Sequence, residues 1–272
     1  METISRIAQF FKVALMEFKM GISSELTYRW QILLWVISDA TQPLIFATLW
    51  SVVASTGDRD FTADQMVSYY FMVTIVGRLT QDWSIQFISN SIIKGEFSKY
   101  LVKPFSYMSE MLGMSMAIRT IRLLLILPFL LVGYYLFRDL ISYELTPNSF
   151  TLFLFALLIG YIMNFILGNI FALVAFFSKQ IYGLRALYIN FVSILSGEYI
   201  PLKVLAVGAF FLFEMLPFRY VLSFPIEIIS GDLTHDQIGR GFGIALFWLV
   251  ALSFIYQFTY KMAIRRYEAE GI

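Results

Sequence analysis

Cysteine is absent from the 272-residue sequence, and histidine occurs once, at His235. Without thiolates the chain forms no disulfide, thiolate zinc site or iron–sulfur centre. His235 has no partner at a metal-ligand spacing, so we predict no metal site. A membrane enzyme would need a converging acid–base, nucleophile or metal group. The sequence shows no such group, and we therefore predict no catalytic residue.

Charge is also sparse: charged residues make up 14% of the chain, the formal net charge is +1, and no long block of one sign occurs. This pattern gives no reason to expect nucleic acid as a partner. The sequence also lacks the G-x-x-x-x-G-K-S/T motif, whose backbone and lysine cradle nucleotide phosphates. We therefore predict no cofactor in this chain, and any energy from ATP must enter through another subunit.

Hydrophobic residues, in contrast, make up 59% of the chain, and the mean hydropathy is +0.73. An ordinary soluble domain is about half apolar and about a quarter charged, so lipid is the expected solvent. A helix needs about 20 apolar residues to cross the hydrocarbon core of a bilayer. We predict an all-α integral membrane protein, with residues 1–272 forming a single transmembrane domain.

Apolar runs predict six transmembrane helices. They cover about 30–54, 63–88, 123–137, 150–177, 185–196 and 242–262. The third is entered by a long helix from about residue 108, and it contains Pro128. The second holds Arg78, Gln81 and Asp82, and lipid would not tolerate these polar groups on an exposed face. That helix must pack inside a bundle or line a cavity.

Residues 4–20 precede the first span and place their apolar side chains with a helical period. Ile7, Phe11 and Leu15 share one face, whereas Lys12 lies elsewhere. This distribution is typical of a helix that lies in the membrane interface and contacts lipid. We predict an interfacial amphipathic helix over 4–20.

The distribution of Lys and Arg predicts the orientation of the chain. With the N-terminus inside, fourteen of these residues lie in or beside cytoplasmic segments and five lie outside. An even number of spans returns the C-terminus to the same side. We predict a multi-pass protein of the cell membrane, inner or plasma, with both termini cytoplasmic.

Three ionisable residues lie near mid-membrane in the predicted first and second spans: Asp39, Arg78 and Asp82. Each would cost about 3 kcal/mol if it were buried alone in the membrane, so we expect them to pair. Arg78 and Asp82 are four residues apart and would share one face of a helix. This intramembrane ion pair is expected either to clamp the first two spans together or to line a substrate path.

Glycine and proline punctuate the region before the last span. Its sequence is Ser-Gly-Glu-Tyr-Ile-Pro-Leu at 196–202, Leu-Pro-Phe-Arg-Tyr at 216–220 and Phe-Pro-Ile-Glu-Ile-Ile-Ser-Gly at 224–231. This pattern resembles the ABC-2 type permeases of ABC transporters, in particular a bacterial export branch with SGxxxPL and LPFRY motifs. The resemblance covers the whole chain in the number and order of spans.

A second match lies in residues 92–104, between the second and third spans, where the chain fits a G-E-x-x-x-x-L-x-x-P pattern. In such permeases this connection is the coupling helix that docks on the ATPase. The resemblance therefore implies a cytoplasmic coupling segment. Its residues are Lys94, Gly95, Glu96, Lys99, Leu101, Lys103 and Pro104. A compatible interpretation is a positive-inside loop whose lysines contact anionic lipid headgroups.

Residues 197–232 contain an apolar stretch, 204–216, that is too short to cross the membrane. Prolines break this region into short helices, so we predict a re-entrant extracellular segment that acts as an outer gate. Its expected gate residues are Gly197, Glu198, Pro201, Leu202, Glu214 and Pro217. In this interpretation Glu198, Glu214 and Glu227 face the water of an outer vestibule. The alternative is a surface loop with amphipathic helices at the outer headgroups.

The resemblance implies a permease subunit of an ATP-binding cassette exporter. Two such subunits, identical or homologous, would enclose a substrate path, and two separate ATPase subunits would bind ATP and Mg²⁺. The alternative is a stand-alone channel or secondary transporter, which would normally show inverted repeats or paired broken helices. An apolar and aromatic cavity suits drugs, lipids and amphiphilic peptides alike, so the sequence does not identify the substrate.

Overall fold

The structure is a computed structural model that describes residues 2–27, 29–56, 62–141, 143, 146–178, 181–205 and 210–266. The chain in these ranges is built from helices. The α-helices are α1 (Glu2–Thr27), α2 (Arg29–Thr56), α3 (Ala63–Thr80), α4 (Ser84–Ile93), α5 (Ser98–Leu101), α6 (Tyr107–Phe137), α7 (Pro147–Leu173), α8 (Ile181–Leu195), α9 (Leu202–Leu205), α10 (Phe210–Glu214), α11 (Ser223–Ile229) and α12 (His235–Arg265). Two 3₁₀ helices, Val174–Phe176 and Pro217–Val221, follow α7 and α10. No strand occurs in these ranges, as the all-α prediction requires.

Within the described ranges, four helical stretches are long and apolar enough to cross a membrane. They are Leu34–Ser55, Tyr107–Phe137, Pro147–Phe176 and His235–Arg265. These stretches coincide with the predicted first, third, fourth and sixth spans. The helix at the fifth position, α8, has 15 residues and is about 22 Å long, which is shorter than the roughly 30 Å hydrocarbon core.

The predicted second span is not one helix. Helix α3 ends at Thr80, Gln81 turns to an extended conformation, and α4 begins at Ser84. The Gln81 N–H group still donates to the Gly77 carbonyl at 2.9 Å, so the turn closes α3. The polar residues that the sequence placed on the face of a helix therefore lie at a break between two helices.

Side-chain caps start three of the longer helices. Thr62, Thr146 and Thr234 each accept a hydrogen bond from a backbone N–H three residues later. In each case the side chain of that third residue contacts the backbone N–H of the threonine in return, which completes a capping box. These caps define where α3, α7 and α12 begin after their preceding loops.

Helix α7 lies at the centre of the packed helices and contacts α3, α4, α11 and α12. The 3₁₀ helix Pro217–Val221 crosses α7 at Gly160, where an added Cβ atom would lie 2.6 Å from the Tyr220 carbonyl oxygen. Gly160 is about 20 Å along α7 from its first residue, Pro147. The chain between α10 and α12 therefore contacts the middle of α7. Residues 206–209 of the predicted re-entrant segment lie outside the described residues.

Helix α1 packs along the first half of α6. A Cβ atom added to Gly21 would lie 2.7 Å from the Ala117 Cβ atom, and one added to Gly113 would overlap the Ala14 carbonyl oxygen. The apolar side chains of the predicted interfacial face remain exposed: Ile7 at 54%, Phe11 at 62% and Leu15 at 55%. Helix α1 is thus longer than the predicted 4–20, and it presents an apolar stripe beside a close helix–helix contact.

Candidate functional site at the α3–α4 break and the outer segment

A buried ion cluster joins α2, α3 and α6. Arg78 Nη1 donates to Asp39 Oδ1 at 2.9 Å, and Arg122 Nη1 donates to Asp39 Oδ2 at 3.4 Å. All three side chains are buried. The structure thus places Asp39 and Arg78 together, and α6 supplies a second cation, Arg122, that the predicted pairing did not include. Removing Asp39 would leave two buried arginines without their shared carboxylate.

Two tryptophan rings cover the Arg122 side of this cluster. The Arg122 guanidinium carbon lies 4.2 Å from the ring centroid of Trp83 and 5.0 Å from that of Trp35. The two rings meet edge to face, with centroids 6.0 Å apart. Cation–π attraction is strongest where the cation is desolvated, so these rings help to hold Arg122 at the cluster.

Asp82 does not join this cluster, and the prediction that it shares a helix face with Arg78 is wrong. Because α3 ends at Thr80, Asp82 follows the helix and turns toward α6. Its Oδ1 atom accepts from Ser115 Oγ at 2.9 Å, and its Oδ2 atom accepts from the Ser84 N–H group at 3.1 Å. Gln81 contacts Arg78 instead, at 2.7 Å from Nη1.

Helix α7 holds both sides of the α3–α4 break. Asn164 Nδ2 donates to the Thr80 carbonyl at 2.9 Å, on the α3 side. Asn169 Nδ2 donates to Ser84 Oγ at 3.0 Å, on the α4 side. The two residues that flank the break, Thr80 and Ser84, are therefore buried and hydrogen-bonded to α7, whereas residues 81–83 are half-buried. Hydrogen bonding within protein is what non-helical backbone requires at membrane depth.

Aromatic side chains of α2 and α3 bind the start of the predicted extracellular segment, residues 197–232, which is called the outer segment below. Tyr69 Oη donates to the Gly197 carbonyl at 2.8 Å, and Tyr70 Oη donates to the Tyr199 carbonyl at 2.9 Å. Trp50 Nε1 also donates to the Tyr199 carbonyl, at 3.2 Å. These bonds satisfy backbone groups that would otherwise lack partners where the chain leaves α8.

Gly197 meets two requirements that exclude a larger residue. Its φ angle is +92°, in the region that favours glycine. An added Cβ atom would overlap Ser223 Oγ and would lie 2.6 Å from Tyr69 Oη. Ser223 Oγ in turn donates to the Ser196 carbonyl at 2.6 Å, so the turn after α8 is locked against the start of α11.

The predicted gate residues fall into two groups. In the first, Glu198 Oε2 accepts from Ser193 Oγ at 2.6 Å, and its Oε1 atom lies 4.0 Å from Arg78 Nη2. Pro201 and Leu202 are buried beside it. The first group therefore adjoins the ion cluster, whereas Glu214 and Pro217 lie in a second group around Arg219.

A buried ion pair that sequence reasoning missed is the centre of this second group. Arg219 is 2% exposed, and its Nη2 atom lies 2.5 Å from an oxygen of Glu227, which is 4% exposed. Glu214 Oε1 lies 3.6 Å from Arg219 Nη1. The expectation that Glu227 faces the water of a vestibule is therefore wrong. The eight-residue spacing of the pair crosses the boundary between two short helices, so no single helical period would reveal it.

The predicted coupling segment has a rigid base. Gly95 turns the chain after α4 with a φ angle of +68°, and Phe97 is fully buried. The Phe97 ring meets those of Tyr107 and Phe176 at centroid distances of 5.5 and 5.1 Å. Lys103 Nζ lies 2.7 Å from Glu110 Oε2 and so fastens the end of the segment to α6.

The tip of the segment is open and partly apolar. Val102 is 83% exposed and Leu101 is 39% exposed. Lys99 pairs with Glu96 at 3.3 Å on the surface, which contributes little to stability. Pro104 is exposed at the far end, and Lys94 is exposed at the near end. The segment thus combines a packed base with an apolar side chain, Val102, that is largely uncovered by the described part of the chain.

Among the described residues, no group of three or more His, Asp or Glu side chains is placed to hold a metal ion.

A family model described as ABC-2 family transporter protein matches residues 25–271. No curated protein and no solved structure matches the chain.

Proposed function

Because the chain belongs to the ABC-2 family of transporter proteins, we propose that it is the permease subunit of an ABC exporter. In this proposal two permease subunits enclose the substrate path, and two separate ATPase subunits bind ATP and Mg²⁺. The family match and the apolar helices support a permease component in a membrane. The sequence lacks the phosphate-binding G-x-x-x-x-G-K-S/T motif, which supports the proposal that another chain hydrolyses ATP.

The proposed topology has six membrane crossings with both termini in the cytoplasm. The four long apolar helices provide four crossings. Helix α3, continued through the hydrogen-bonded break into α4, provides another, and α8 with the turn that follows it provides the sixth. The hydrogen bonds from Asn164 and Asn169 support this topology, since they satisfy the break inside protein. The exposed stripe of α1 then lies in the cytoplasmic interface.

The outer segment is proposed to be re-entrant and to gate the path. The contact between Gly160 and the Tyr220 carbonyl supports this, because it lies about 20 Å along α7 from the first residue of that helix. All nine residues from Val221 to Ile229 are buried, which a surface loop would not require. The apolar side chains and the Arg219–Glu227 pair suit a segment that packs within the membrane.

The observation that carries the coupling proposal is the position of the α3–α4 break. Helix α4 leads directly into the coupling segment at one end. At its other end, the break meets Arg78, which lies between Asp39 and Glu198. A movement of the docked coupling segment would therefore reach the gate through α4 and a small set of buried polar contacts. Glu198 is proposed to separate from Arg78 when the outer gate opens.

Purification of the tagged chain from its native membrane tests the assembly. We expect a P-loop ATPase to co-purify with the wild-type chain. Val102→Asp places a charge on the exposed apolar tip and should reduce the recovered ATPase at least fivefold, since interface cores exclude charge. Asn148→Asp, at the exposed start of α7, is the matched control and should recover normal amounts. Full ATPase recovery with Val102→Asp, or none with the wild-type chain, would contradict the coupling proposal.

A further inference from the structure

An apolar cavity of about 780 Å³ lies between α2, α3 and α6. Its deep wall contains Tyr70 and Ile126, each 1% exposed. Its rim contains Leu44, Val132 and Leu136, each more than half exposed. The rim helices α2 and α6 are apolar and long enough to cross a membrane, so the cavity opens toward lipid. Its described lining residues include neither the ion cluster nor the predicted gate residues.

The chemistry of the lining favours a ligand that needs no hydrogen bond. None of the described residues that line the cavity is charged. Most of its hydroxyl groups already donate to carbonyl groups of their own helices at 2.6–2.9 Å; these residues are Thr48, Ser51, Ser55 and Thr74. The Tyr70 hydroxyl donates to the Tyr199 carbonyl at 2.9 Å. A polar ligand group would lose its bonds to water here and gain no free hydroxyl donor in return.

The shape of the cavity favours a linear chain. The α2 wall runs from Ala40 to Ser55, about 22 Å along the helix axis, and the α6 wall runs from Ile126 to Phe137, about 16 Å. A helix of another chain, about 10 Å across, would need about 1,700 Å³ over the longer wall. An alkyl chain of about sixteen carbons needs roughly 480 Å³ if each methylene group takes about the 30 Å³ share of a water molecule. The cavity therefore has room for such a chain but not for a helix.

We propose that this cavity binds one acyl chain of a membrane lipid. The uncharged lining, the opening toward lipid and the elongated volume all match an acyl chain. An empty cavity would forfeit dispersion contacts along its walls, and a flexible chain restores them. Binding needs neither an ATPase nor a second permease subunit, so the inference goes beyond the proposed export function.

Gly133 offers a way to fill the cavity from one wall. It lies near the middle of the α6 wall, and a Cβ atom added there would meet no atom within 4 Å. A tryptophan at this position therefore has room at its Cβ atom and would divide the space. Gly243 on α12 is the matched control, because it is exposed, has the same open space around an added Cβ atom, and does not line the cavity.

Photo-crosslinking of the purified full-length chain in digitonin micelles tests the site. The probe is palmitoyl-oleoyl-phosphatidylcholine that carries a diazirine in its palmitoyl chain, and digitonin offers no linear alkyl chain to compete with it. We expect labelling of the lining residues to saturate with the probe and to fall when unlabelled lipid is added. Labelling around Phe254, which is 67% exposed on α12, should stay proportional to the probe.

The substitutions at residue 133 should change this saturable labelling according to the size of the new side chain. Gly133→Trp should lower it about fivefold or more, because a close-packed chain cannot share the space. Gly133→Ala adds one methyl group and should label as the wild type does, as should Gly243→Trp. Gly133→Leu, a smaller filler that favours helix, should also lower the labelling, so the test holds if the tryptophan variant folds poorly.

Three results would overturn the acyl-chain site. They are labelling of the lining that is absent or only proportional to the probe, saturable labelling that persists in both Gly133→Trp and Gly133→Leu, and an equal loss in Gly243→Trp. Absent labelling in a chain that elutes as a dimer would show that a second copy covers the cavity instead. None of these results bears on whether an ATPase co-purifies with the chain, so the proposed function would stand.

Discussion

Replacement of Asp39 by Asn tests the buried ion cluster most sharply. The substitution keeps the side-chain shape but leaves Arg78 and Arg122 without their shared carboxylate. Loss of one partner of a buried ion pair destabilises a protein by about 3–5 kcal/mol. Gln81 still accepts from Arg78, and Trp83 still covers Arg122, so we expect a value of about 3 kcal/mol. The assay is the free energy of unfolding of the purified chain in mixed micelles.

A second substitution separates lost pairing from general damage. Arg122→Met in the Asp39→Asn background removes one orphaned cation and keeps a flexible apolar side chain against the tryptophan rings. We expect it to recover about 1 kcal/mol relative to additivity. Asp64→Asn, on the exposed first turn of α3, is the control and should change stability by less than about 0.5 kcal/mol. An Asp39→Asn variant as stable as this control would refute the proposed energetics.

Three further substitutions have distinct expected outcomes. Gly197→Ala should lower the free energy of unfolding by about 1–3 kcal/mol, because the φ angle of Gly197 is positive. Gly183→Ala has open space around the added methyl group and should not lower it. Equal changes in the free energy of unfolding for the two variants would contradict the turn geometry. Burial raises the pKa of Glu17, so its charged form is the unfavourable one in the fold; Glu17→Gln should melt higher than the wild type at pH 7, and this gain should shrink toward pH 4.5. A gain independent of pH would exclude this cause. Phe97→Ala should cost about 3–5 kcal/mol and Val102→Ala almost nothing, and a stable Phe97→Ala variant would show that the coupling segment lacks a rigid base.

The long apolar helices were predictable because their signal is local and strong. Helices α2, α6, α7 and α12 follow long, predominantly apolar runs, and hydrophobicity over about 20 residues is enough to locate them. The exact ends depended on caps such as the one at Thr234, which begins α12 seven residues before the predicted span. The apolar face of α1 was also evident, but its close packing on α6 depends on Gly113, which periodicity alone does not mark.

The break after Thr80 was not predictable from local signals. Residues 81–83 contain neither glycine nor proline, and apolar residues continue on both sides. The contacts that hold the break are tertiary: on α7, Asn164 donates to the Thr80 carbonyl and Asn169 donates to the Ser84 hydroxyl oxygen. The assignment of Asp82 to the ion cluster failed for the same reason, since it assumed a helical continuation.

The outer segment was anticipated in its composition but not in its contacts. Its prolines and apolar character indicated short helices that return into the membrane. The partners of Glu198 and Glu227 lie on other elements, or on both sides of a helix boundary, so spacing could not assign them. Sequence reasoning therefore gave both carboxylates the same role, whereas the structure separates them into two groups.

State-dependent labelling of the outer segment tests the central claim that this chain is an export permease with an ATP-coupled outer gate. Because the chain has no cysteine, Glu198→Cys, Leu202→Cys and Glu214→Cys can each be labelled with an impermeant thiol reagent from outside. The complex purified with its ATPase would be compared with and without trapped ATP, with Asn148→Cys as an exposed reference. We predict slow labelling at Glu198→Cys and Leu202→Cys in one state and at least tenfold faster labelling in the other, while the reference stays constant. Equal and rapid labelling at all three positions in both states would contradict the gate and would show that the segment is an ordinary solvated loop.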